Sequence, residues 1–491
     1  MTPLTNSFLI AVCSTAIACL LGVLAGFALL AVSPSRRLAV SFLALSALPL
    51  LVPSYVIVSF WMEALGTNGW LARLVADGNA VSFAGLWPTI LVLSLIYWSP
   101  VALISYFTLT KIDRAMIEAA ELTLGKLRAN ARVVAPLLLP SVAASAALVF
   151  VLTFSNFSVP AIFQVRTIQN DIYVQFNASF NVGRAFLLAF PQLIAAMIGV
   201  VWLGGVLKRR SWIVTVVRPS GGPNAGPVSG GVASARRRWA VAFLAGLVLL
   251  SAVAPMLRAV ESVLQAKTFW QTLIVSATQI WNSFLFSLLA ATLVLAIAVG
   301  CACTRTRKPV GAQRRLPRSP SGIDSMVLIP FVLPEVLIGV ALIALFNRPS
   351  LQFLYTSLTI VLVALTVRYF IVGKLAVSVG RSHLDPSLLE AAELAGLPFA
   401  QKLVRIQLPL LSRWLLAGWW LTYLFCLADV GSLVLIYPPG CDTVPIRIFN
   451  LLHYGYDTQV SALCLVMLAL AAAPFMLWPL IRFFYDRMSP A

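Results

Sequence analysis

Two copies of one short sequence pattern lie far apart in this chain: DRAMIEAAEL at residues 113–122 and DPSLLEAAEL at residues 385–394. Each copy begins with an aspartate, Asp113 or Asp385, and ends with Glu-Ala-Ala-Glu-Leu. In the second copy, Asp385 before Pro386 is typical of a helix N-cap, and Gly396 is typical of a helix end. The repeat therefore predicts two short helices, one in each half of a chain built from two similar parts.

The sequence around these two copies is strongly apolar. Of its 491 residues, 60% are hydrophobic and 10% are charged, and the mean hydropathy is +0.94. Soluble domains carry about 25% charged residues, whereas a membrane-spanning helix needs about 20 mostly apolar residues. The composition excludes a soluble enzyme, a disulfide-rich secreted scaffold and a disordered chain. It predicts an all-α polytopic membrane protein.

Eleven apolar segments are long enough to predict membrane-spanning helices. They cover roughly residues 8–32, 39–64, 86–110, 137–157, 186–207, 239–259, 282–303, 325–347, 352–375, 410–432 and 459–482. The first segment lacks the basic region and the cleavage site of a signal peptide, so we expect it to stay as a membrane helix.

The charge distribution predicts an orientation. The chain has 35 Lys and Arg against 16 Asp and Glu, a formal net charge of +19, and the basic residues are concentrated in alternate loops. Since basic loops face the cytoplasm, we expect a multi-pass membrane protein with its N-terminus outside and its C-terminus in the cytoplasm. The basic-aromatic pattern typical of nucleic-acid binding is absent from the sequence, so no nucleic-acid partner is expected.

A linker at residues 211–238 divides the chain. This segment is rich in Gly, Pro and Ser and has basic ends, which is typical of a flexible cytoplasmic connector. We expect a first half at residues 1–210 with about five spans and a second half at residues 239–491 with about six. Both halves carry Asn-Ser-Phe, at residues 6–8 and 282–284, and the span at 239–259 is the extra one.

The repeated loop resembles the EAA loop of ABC transporter permeases, whose pattern is Glu-Ala-Ala, three residues, Gly, nine residues and Ile-x-Leu-Pro. The second copy matches this pattern at Glu390, Ala391, Ala392, Gly396, Ile406, Leu408 and Pro409. The first copy matches at Glu118, Ala119 and Ala120, but Gly125 comes one residue late, Ala135 replaces the leucine, and Pro136 comes one residue early. The resemblance implies ATPase-coupling loops at residues 111–136 and 376–409.

The same resemblance implies a type I importer permease subunit rather than an enzyme. Each loop would dock into a groove on a separate ATP-hydrolysing subunit. No phosphate-binding Gly-x-x-x-x-Gly-Lys-[Ser/Thr] loop is present in the sequence, so ATP hydrolysis is expected on another chain. The implied partners are two copies of a cytoplasmic ATP-binding subunit, a periplasmic solute-binding protein and the lipid bilayer. No cofactor is expected.

A later segment resembles the fused, double-length permeases of iron(III) importers. Tyr-Pro-Pro-Gly at residues 437–440 and Leu-His-Tyr-Gly at residues 452–455 carry this resemblance. It implies iron(III) as the solute, with thiamine, phosphonate or polyamine as alternatives, because importers of those solutes share the fused format. Residues 158–185 and 433–458 are the expected contact surface for the solute-binding protein.

Ionisable residues in or near the apolar spans are the remaining candidates. Glu335, Arg368 and Asp429 predict either a translocation path or a structural ion pair, since an unpaired charge in a membrane is unfavourable. Asn156 occupies the position in the first half that corresponds to Asp429, and His453 is expected outside, within reach of solute or partner.

The sequence does not predict a metal site. Its two histidines, His383 and His453, have no nearby Cys or carboxylate cluster, and His383 is expected to be a polar loop residue.

Two other classes of membrane protein stay open. An ion-gradient-driven secondary transporter would need coupling carboxylates at the membrane midplane and leaves the repeated loop unexplained. A membrane-embedded enzyme would need clustered His, Asp or Glu within spans, and this sequence has very few.

Overall fold

The computed structural model of the chain describes residues 2–33, 35–52, 54–65, 85–209, 234–265, 269–304, 327–384, 386–398, 401–454 and 457–488. These residues form helices and connecting turns, and no β-strand occurs among them. Asp385 and most of the linker at 211–238 lie outside the described residues. The boundaries expected at the linker therefore stay a prediction.

The first 270 residues form eleven longer helices in their described part. They are α1 (Pro3–Val32), α2 (Arg36–Leu51), α3 (Ser54–Leu65), α4 (Leu86–Leu109), α5 (Arg114–Leu124), α6 (Ala135–Phe154), α7 (Ile168–Ser179), α8 (Val182–Arg209), α9 (Ser234–Val248), α10 (Ala254–Gln265) and the start of α11 (Phe269–Val275). Shorter helical turns lie at Lys126–Ala129, Asn130–Val134, Ser158–Ile162 and Leu249–Val253.

The remaining longer helices repeat much of this order. They are α12 (Ala277–Thr304), α13 (Glu335–Phe346), α14 (Leu358–Ser382), α15 (Pro386–Leu394), α16 (Leu408–Ala428), α17 (Val444–Tyr454) and α18 (Asp457–Met488). Shorter helical turns lie at Ile329–Val332, Pro349–Leu351, Gln352–Tyr355 and Lys402–Gln407.

Each of the eleven predicted spans overlaps helix in the residues that the structure describes. By length and composition, seven helices of the described residues could cross a membrane by themselves, or up to nine if each of two bent pairs counts as one span. The other two predictions, 186–207 and 459–482, lie in α8 and α18, whose described apolar parts are shorter.

The bent pairs are the main difference from the predicted spans. The prediction at 39–64 coincides with Arg37–Leu50 and Ser54–Leu65, bent by 82°, and that at 325–347 with Glu335–Phe346, followed by Pro349–Tyr355 at 104°. The prediction at 352–375 therefore began too early, because Leu358 starts the next helix. At the second bend, Pro349 lies directly after the break. Proline lacks the N–H group that would continue the preceding helix.

The chain divides into two compact units, residues 1–270 with 451–465 and residues 271–450 with 466–491. In the first unit, α1 and α4 run parallel: the Ser14 hydroxyl donates to the Ile90 carbonyl, and Gly22 faces Val101 further along both helices. Helix α6 packs antiparallel against them, since Phe150 near its end contacts Phe8 near the start of α1.

The second unit repeats this three-helix core. Helices α12 and α14 run parallel, because Gly373 faces Val294 and the Arg381 side chain donates to the Ala302 carbonyl near both helix ends. Helix α16 is antiparallel: Gly380, late in α14, faces Leu411, early in α16. In both units, therefore, the segment after the second helix (α4 or α14) and the segment after the third helix (α6 or α16) lie at opposite ends of the three-helix core.

The extra helix of the second sequence half belongs to the first unit. Helices α9 and α10, joined by the π-helical turn Leu249–Val253, pack against α1, α2 and α3. The Arg258 guanidinium on α10 bonds both carboxylate oxygens of Glu63 on α3 and also pairs with Glu261. By sequence order, α9 and α10 follow the linker and would be grouped with the second half. The contact between Arg258 and Glu63 joins positions 195 residues apart, which sequence order does not reveal.

We expect Gly373→Ala to destabilise the second unit. A Cβ there would lie 2.6 Å from Cγ1 of Val294, and overpacking of this kind costs about 1–3 kcal/mol. The change should lower the apparent melting temperature of the detergent-purified chain. The matched control is Gly300→Ala, because a Cβ at Gly300 meets no atom within 4 Å. Equal melting temperatures for the two variants would contradict this account of the helix contact.

Candidate functional site

The first repeated loop forms a helical elbow between α4 and α6. Its helix, α5, begins after Asp113, whose side-chain oxygen accepts the Ala115 N–H at 2.9 Å as an N-cap. It ends at Gly125, whose φ of +74° and ψ of +157° form a backbone conformation that glycine adopts without strain. Leu109, Ile112, Val134 and Leu138 form a buried apolar cluster at the base of the elbow.

The second repeated loop has the same construction between α14 and α16. Helix α15 is followed by Ala395 and by Gly396, whose φ is +67°. A π-helical turn, Lys402–Gln407, then leads into α16, where Pro409 lies in the first turn. The apolar cluster at its base contains Ala298, Val377, Leu411 and Leu415. The two elbows are therefore structural counterparts.

Both copies keep a glycine of positive φ after the elbow helix, although the spacing of the first copy is irregular. Gly125 directly follows a helix of eleven residues, and Gly396 follows a nine-residue helix with one residue between. Both glycines nevertheless have positive φ. Pro136, which comes early in the sequence pattern, lies in the first turn of α6 as Pro409 does in α16. The extra residue before Gly125 is accommodated in the longer helix.

The small residues of the two elbow helices differ in exposure. Ala119 and Ala391 are exposed, whereas Ala120 is half-buried and Ala392 is buried. Glu118 is exposed, and Glu390 lies within α15, although its side chain is outside the described part of the chain. The outer surface of each elbow is thus formed by one alanine of the Glu-Ala-Ala pattern and its neighbours.

Exposed leucines in both elbows were missed by the sequence analysis. Leu122 and Leu394, which end the two Glu-Ala-Ala-Glu-Leu strings, are 89% and 90% exposed. Met116 and Leu388, at equivalent positions one to two turns earlier, are also exposed. A large side chain left in water at the same position of two copies indicates a contact surface. Their recurrence in both strings was the available sequence signal.

Three predicted charged residues come together in the second unit. The Arg368 Nη2 atom lies 2.9 Å from the Glu335 Oε1 atom, and Arg368 Nε lies 3.4 Å from Asp429 Oδ2. The side chains of Arg368 and Asp429 are only 4% and 1% exposed, against 17% for Glu335. Such deep burial requires that each charge have a partner.

Two neutral residues, which the sequence analysis did not identify, complete this cluster. The Tyr369 hydroxyl donates to Asp429 Oδ2 at 2.7 Å, and the Ser432 N–H and hydroxyl each donate to Asp429 at 3.0 Å. These three hydrogen bonds hold the Asp429 carboxylate in a fixed position beside Arg368. Gly431 packs so closely on Glu335 that no side chain fits there. The cluster therefore joins the start of α13, the middle of α14 and the end of α16.

The other predicted residues have local roles in the structure. Asn156 Oδ1 accepts the Val159 N–H at 3.0 Å in the first unit, as Asp429 accepts that of Ser432 in the second. His383 stacks on Trp414, with ring centroids 4.7 Å apart. His453 lies in α17, and its side chain is outside the described part of the chain. Among the described residues, no group of three or more His, Cys, Asp or Glu is placed to hold a metal.

Comparison with known proteins points to one class. A protein of Salmonella paratyphi A named as a 2-aminoethylphosphonate transport system permease is 31% identical over 147 residues, which is 30% of this chain and 55% of that protein. This chain is similar to transport-system permeases. The match thus spans about half the length of that curated relative, and no family profile matches the chain.

Two polyamine permeases give similar matches. The spermidine/putrescine transport system permease PotC of Haemophilus influenzae is 29% identical over 164 residues, 33% of this chain and 63% of that protein. The putrescine transport system permease PotI of Escherichia coli K12 is 28% identical over 168 residues, 33% of this chain and 59% of that protein. These relatives are permeases and not enzymes, and they share a helical, membrane-embedded class with this chain.

We expect Arg368→Met to destabilise the second unit strongly. The change leaves the buried Asp429 and the half-buried Glu335 without their cation, and breaking a buried ion pair in this way costs about 3–5 kcal/mol. The apparent melting temperature of the purified chain should fall. Arg348→Met, at an exposed arginine, is the control and should change it little. The triple variant Glu335→Gln, Arg368→Met, Asp429→Asn should recover part of the loss, and a triple variant less stable than Arg368→Met would refute the ion-pair account.

Proposed function

We propose that the chain is the transmembrane permease subunit of an ABC importer. The observation that carries this proposal is the duplicated elbow, with a glycine of positive φ and an almost fully exposed leucine at the same place in each copy. An elbow anchored in an apolar cluster and ending in an exposed helix is suited to transmit force from a partner to the spans behind it. The similarity to transport-system permeases supports the same class.

The proposed assembly is this chain, two copies of a cytoplasmic ATP-binding subunit and a periplasmic solute-binding protein, in the bacterial inner membrane. Two elbows in one chain support two ATPase copies, one for each elbow. Both elbows would face the cytoplasm, because basic residues surround them: Lys111 and Arg128 at the first, Lys374 and Lys402 at the second. The N-terminus would then be periplasmic and the C-terminus cytoplasmic.

Two classes of solute have separate support. The resemblance of residues 437–440 and 452–455 to fused iron(III) permeases favours iron(III). The names of the relatives favour a solute with an amino group, since they are permeases for 2-aminoethylphosphonate, spermidine and putrescine. Thiamine is the further alternative.

The charged cluster has a structural role in this proposal. The deep burial of Arg368 and Asp429 supports this role, as do their hydrogen bonds within their own unit. Glu335, the most exposed member, stays the candidate for a translocation path, together with Asn156 and His453.

We expect the exposed leucines to carry ATPase docking. Burying one leucine at an interface contributes about 1.5–3 kcal/mol, so Leu122→Ser and Leu394→Ser should each weaken co-purification of the ATP-binding subunit by tenfold or more. The double variant should abolish it. Thr123→Ala is the control, because the Thr123 hydroxyl bonds only carbonyls of its own helix. Normal ATPase capture by the double variant would contradict the docking proposal.

We expect the turn at Gly396 to be essential for uptake. A β-branched residue is strained at φ of +67°, whereas asparagine tolerates the left-handed region. Gly396→Val should therefore abolish uptake while Gly396→Asn retains most of it, at equal expression. The measurement is uptake of labelled iron(III), putrescine, 2-aminoethylphosphonate and thiamine by cells that lack the natural gene and carry each variant.

The same uptake panel separates the functional classes. Uptake of one solute that is restored by the wild-type chain and requires the ATP-binding subunit supports the importer and identifies its solute. Uptake that persists without that subunit and responds to the ion gradient would favour a secondary transporter instead. Full uptake by Gly396→Val would remove the elbow from the mechanism.

A further inference from the structure

The Asn-Ser pair that opens the first core helix of each unit bonds a distant short helix. In the first unit, the Asn6 side-chain amide donates to the Arg166 carbonyl at 2.9 Å, and Ser7 Oγ accepts the Ile168 N–H at 3.0 Å. Ile168 is the first residue of α7. The Ser7 hydroxyl also donates to the Pro3 carbonyl, which leaves its lone pairs for the Ile168 N–H.

The second unit repeats these bonds at equivalent residues. The Asn282 side-chain amide donates to the carbonyls of Gly440 and Asp442, and Ser283 Oγ accepts the Val444 N–H at 2.8 Å. Val444 is the first residue of α17. In both units the serine and the N–H that it binds are 161 residues apart. A chance contact would not recur in the same register.

Each serine therefore caps a helix that is not its own. The first N–H groups of a helix lack partners within the helix, and a hydroxyl at the N-cap position usually provides one. Thr167 and Thr443 occupy that position: their carbonyls accept the first helical hydrogen bonds, from Asp171 and Arg447. The capping residue is thus already present at each helix start.

Yet neither threonine hydroxyl is used. Thr167 and Thr443 are 2% and 5% exposed, and within the described residues neither Oγ1 atom has a hydrogen-bond partner. A buried hydroxyl without a partner is unfavourable by about 1–3 kcal/mol. Its presence at the same position in both units indicates that the hydroxyl serves a second arrangement of the chain.

We propose that the two Asn-Ser pairs are positioning residues that dock α7 and α17, and that Thr167 and Thr443 are standby caps. While a short helix is docked, the serine of the first core helix caps it. When the helix separates, its own threonine accepts the N–H of the second or third helical residue, as an N-cap does, and keeps the helix folded. Docking and release thus exchange one cap for another, so the helix moves as a unit without unfolding.

The use of this exchange in transport rests on the proposed function. Helices α7 and α17 lie at the end of each core opposite the elbows, because α1 and α12 begin there and the elbows follow the far ends of α4 and α14. They fall within the two segments expected to contact the solute-binding protein. A docked and a released position would let these segments change as the importer cycles.

The test is residue-level hydrogen–deuterium exchange on the full chain in lipid nanodiscs. Ser7→Ala should accelerate exchange of the Ile168 amide, while the amides of Ile172 to Phe176 accelerate by less than about fivefold, because Thr167 replaces the lost cap. Thr167→Ala alone should change neither the exchange of the Ile168 amide nor that of Ile172 to Phe176. The double variant should accelerate all of these amides by more than about tenfold. Ser283, Thr443 and α17 should behave in the same way.

Controls separate docking from general loss of structure. Ser14→Ala removes a buried serine hydroxyl elsewhere on α1 and should leave α7 exchange unchanged. Ser7→Thr keeps the hydroxyl and should restore protection at Ile168. Unchanged Ile168 exchange in Ser7→Ala would overturn the docking role. Equal effects of Thr167→Ala and the double variant, or purely additive effects, would overturn the standby cap.

An uptake measurement decides the link to transport. Thr167→Ala with Thr443→Ala should lower the uptake rate several-fold although exchange in the resting protein is unchanged. Wild-type uptake by this variant would overturn the role in transport. Absence of uptake by the wild-type chain would refute the importer and that role together, whereas the exchange results would still decide docking and capping.

Discussion

The close approach of two parallel helices is the contact on which each unit depends. In the first unit Gly22 of α1 faces Val101 of α4, and in the second Gly373 of α14 faces Val294 of α12. The glycine lies on the first helix of the pair in one unit and on the second helix in the other. In a membrane, where apolar side chains gain little by leaving lipid, such close backbone packing holds helices together. The two units therefore have the same glycine-to-valine contact, with the glycine and the valine on opposite helices of the pair.

This parallel pairing determines what lies at each end of a unit. Because the two helices start together and end together, the elbow after the second helix and the docked helix near the start of the first are at opposite ends. In the proposed importer, a displacement of the elbow would act on α4 or α14, and the glycine contact would pass it to α1 or α12, whose first turns carry Ser7 and Ser283. The docking bonds and the elbows are thus linked by one rigid pair of helices.

The sequence predicted the features that depend on local residue patterns. The apolar runs predicted the helices, and Gly396 predicted a helix end, because capping depends on neighbouring residues. The bends near residues 52 and 348 were not predicted, since hydropathy does not register a change of direction. Leu122 and Leu394 were missed because a leucine in an apolar sequence does not reveal its exposure.

Contacts between distant residues were beyond the sequence analysis for a different reason. The motif Asn-Ser-Phe was visible in both halves, but its partner amides lie 161 residues away and carry no distinctive side chain. The grouping of α10 with α3 depends in the same way on Arg258 and Glu63, whose separation of 195 residues leaves no local signal. Only the charged cluster could be anticipated, because Glu335, Arg368 and Asp429 are conspicuous in apolar surroundings.

The charged cluster marks where the two units stop being alike. The first half reads Ile96-Tyr97 where the second reads Arg368-Tyr369, and it has Asn156 in place of Asp429. Two of the charges are thus replaced by neutral residues, while the tyrosine, the capping bond and the helix order persist. Since an ion group in a membrane core is retained only at a cost in desolvation, its presence in one half is not required by the shared fold. The two halves share the elbows and the docked helices. They differ in the charged cluster, which only the second half contains among the described residues.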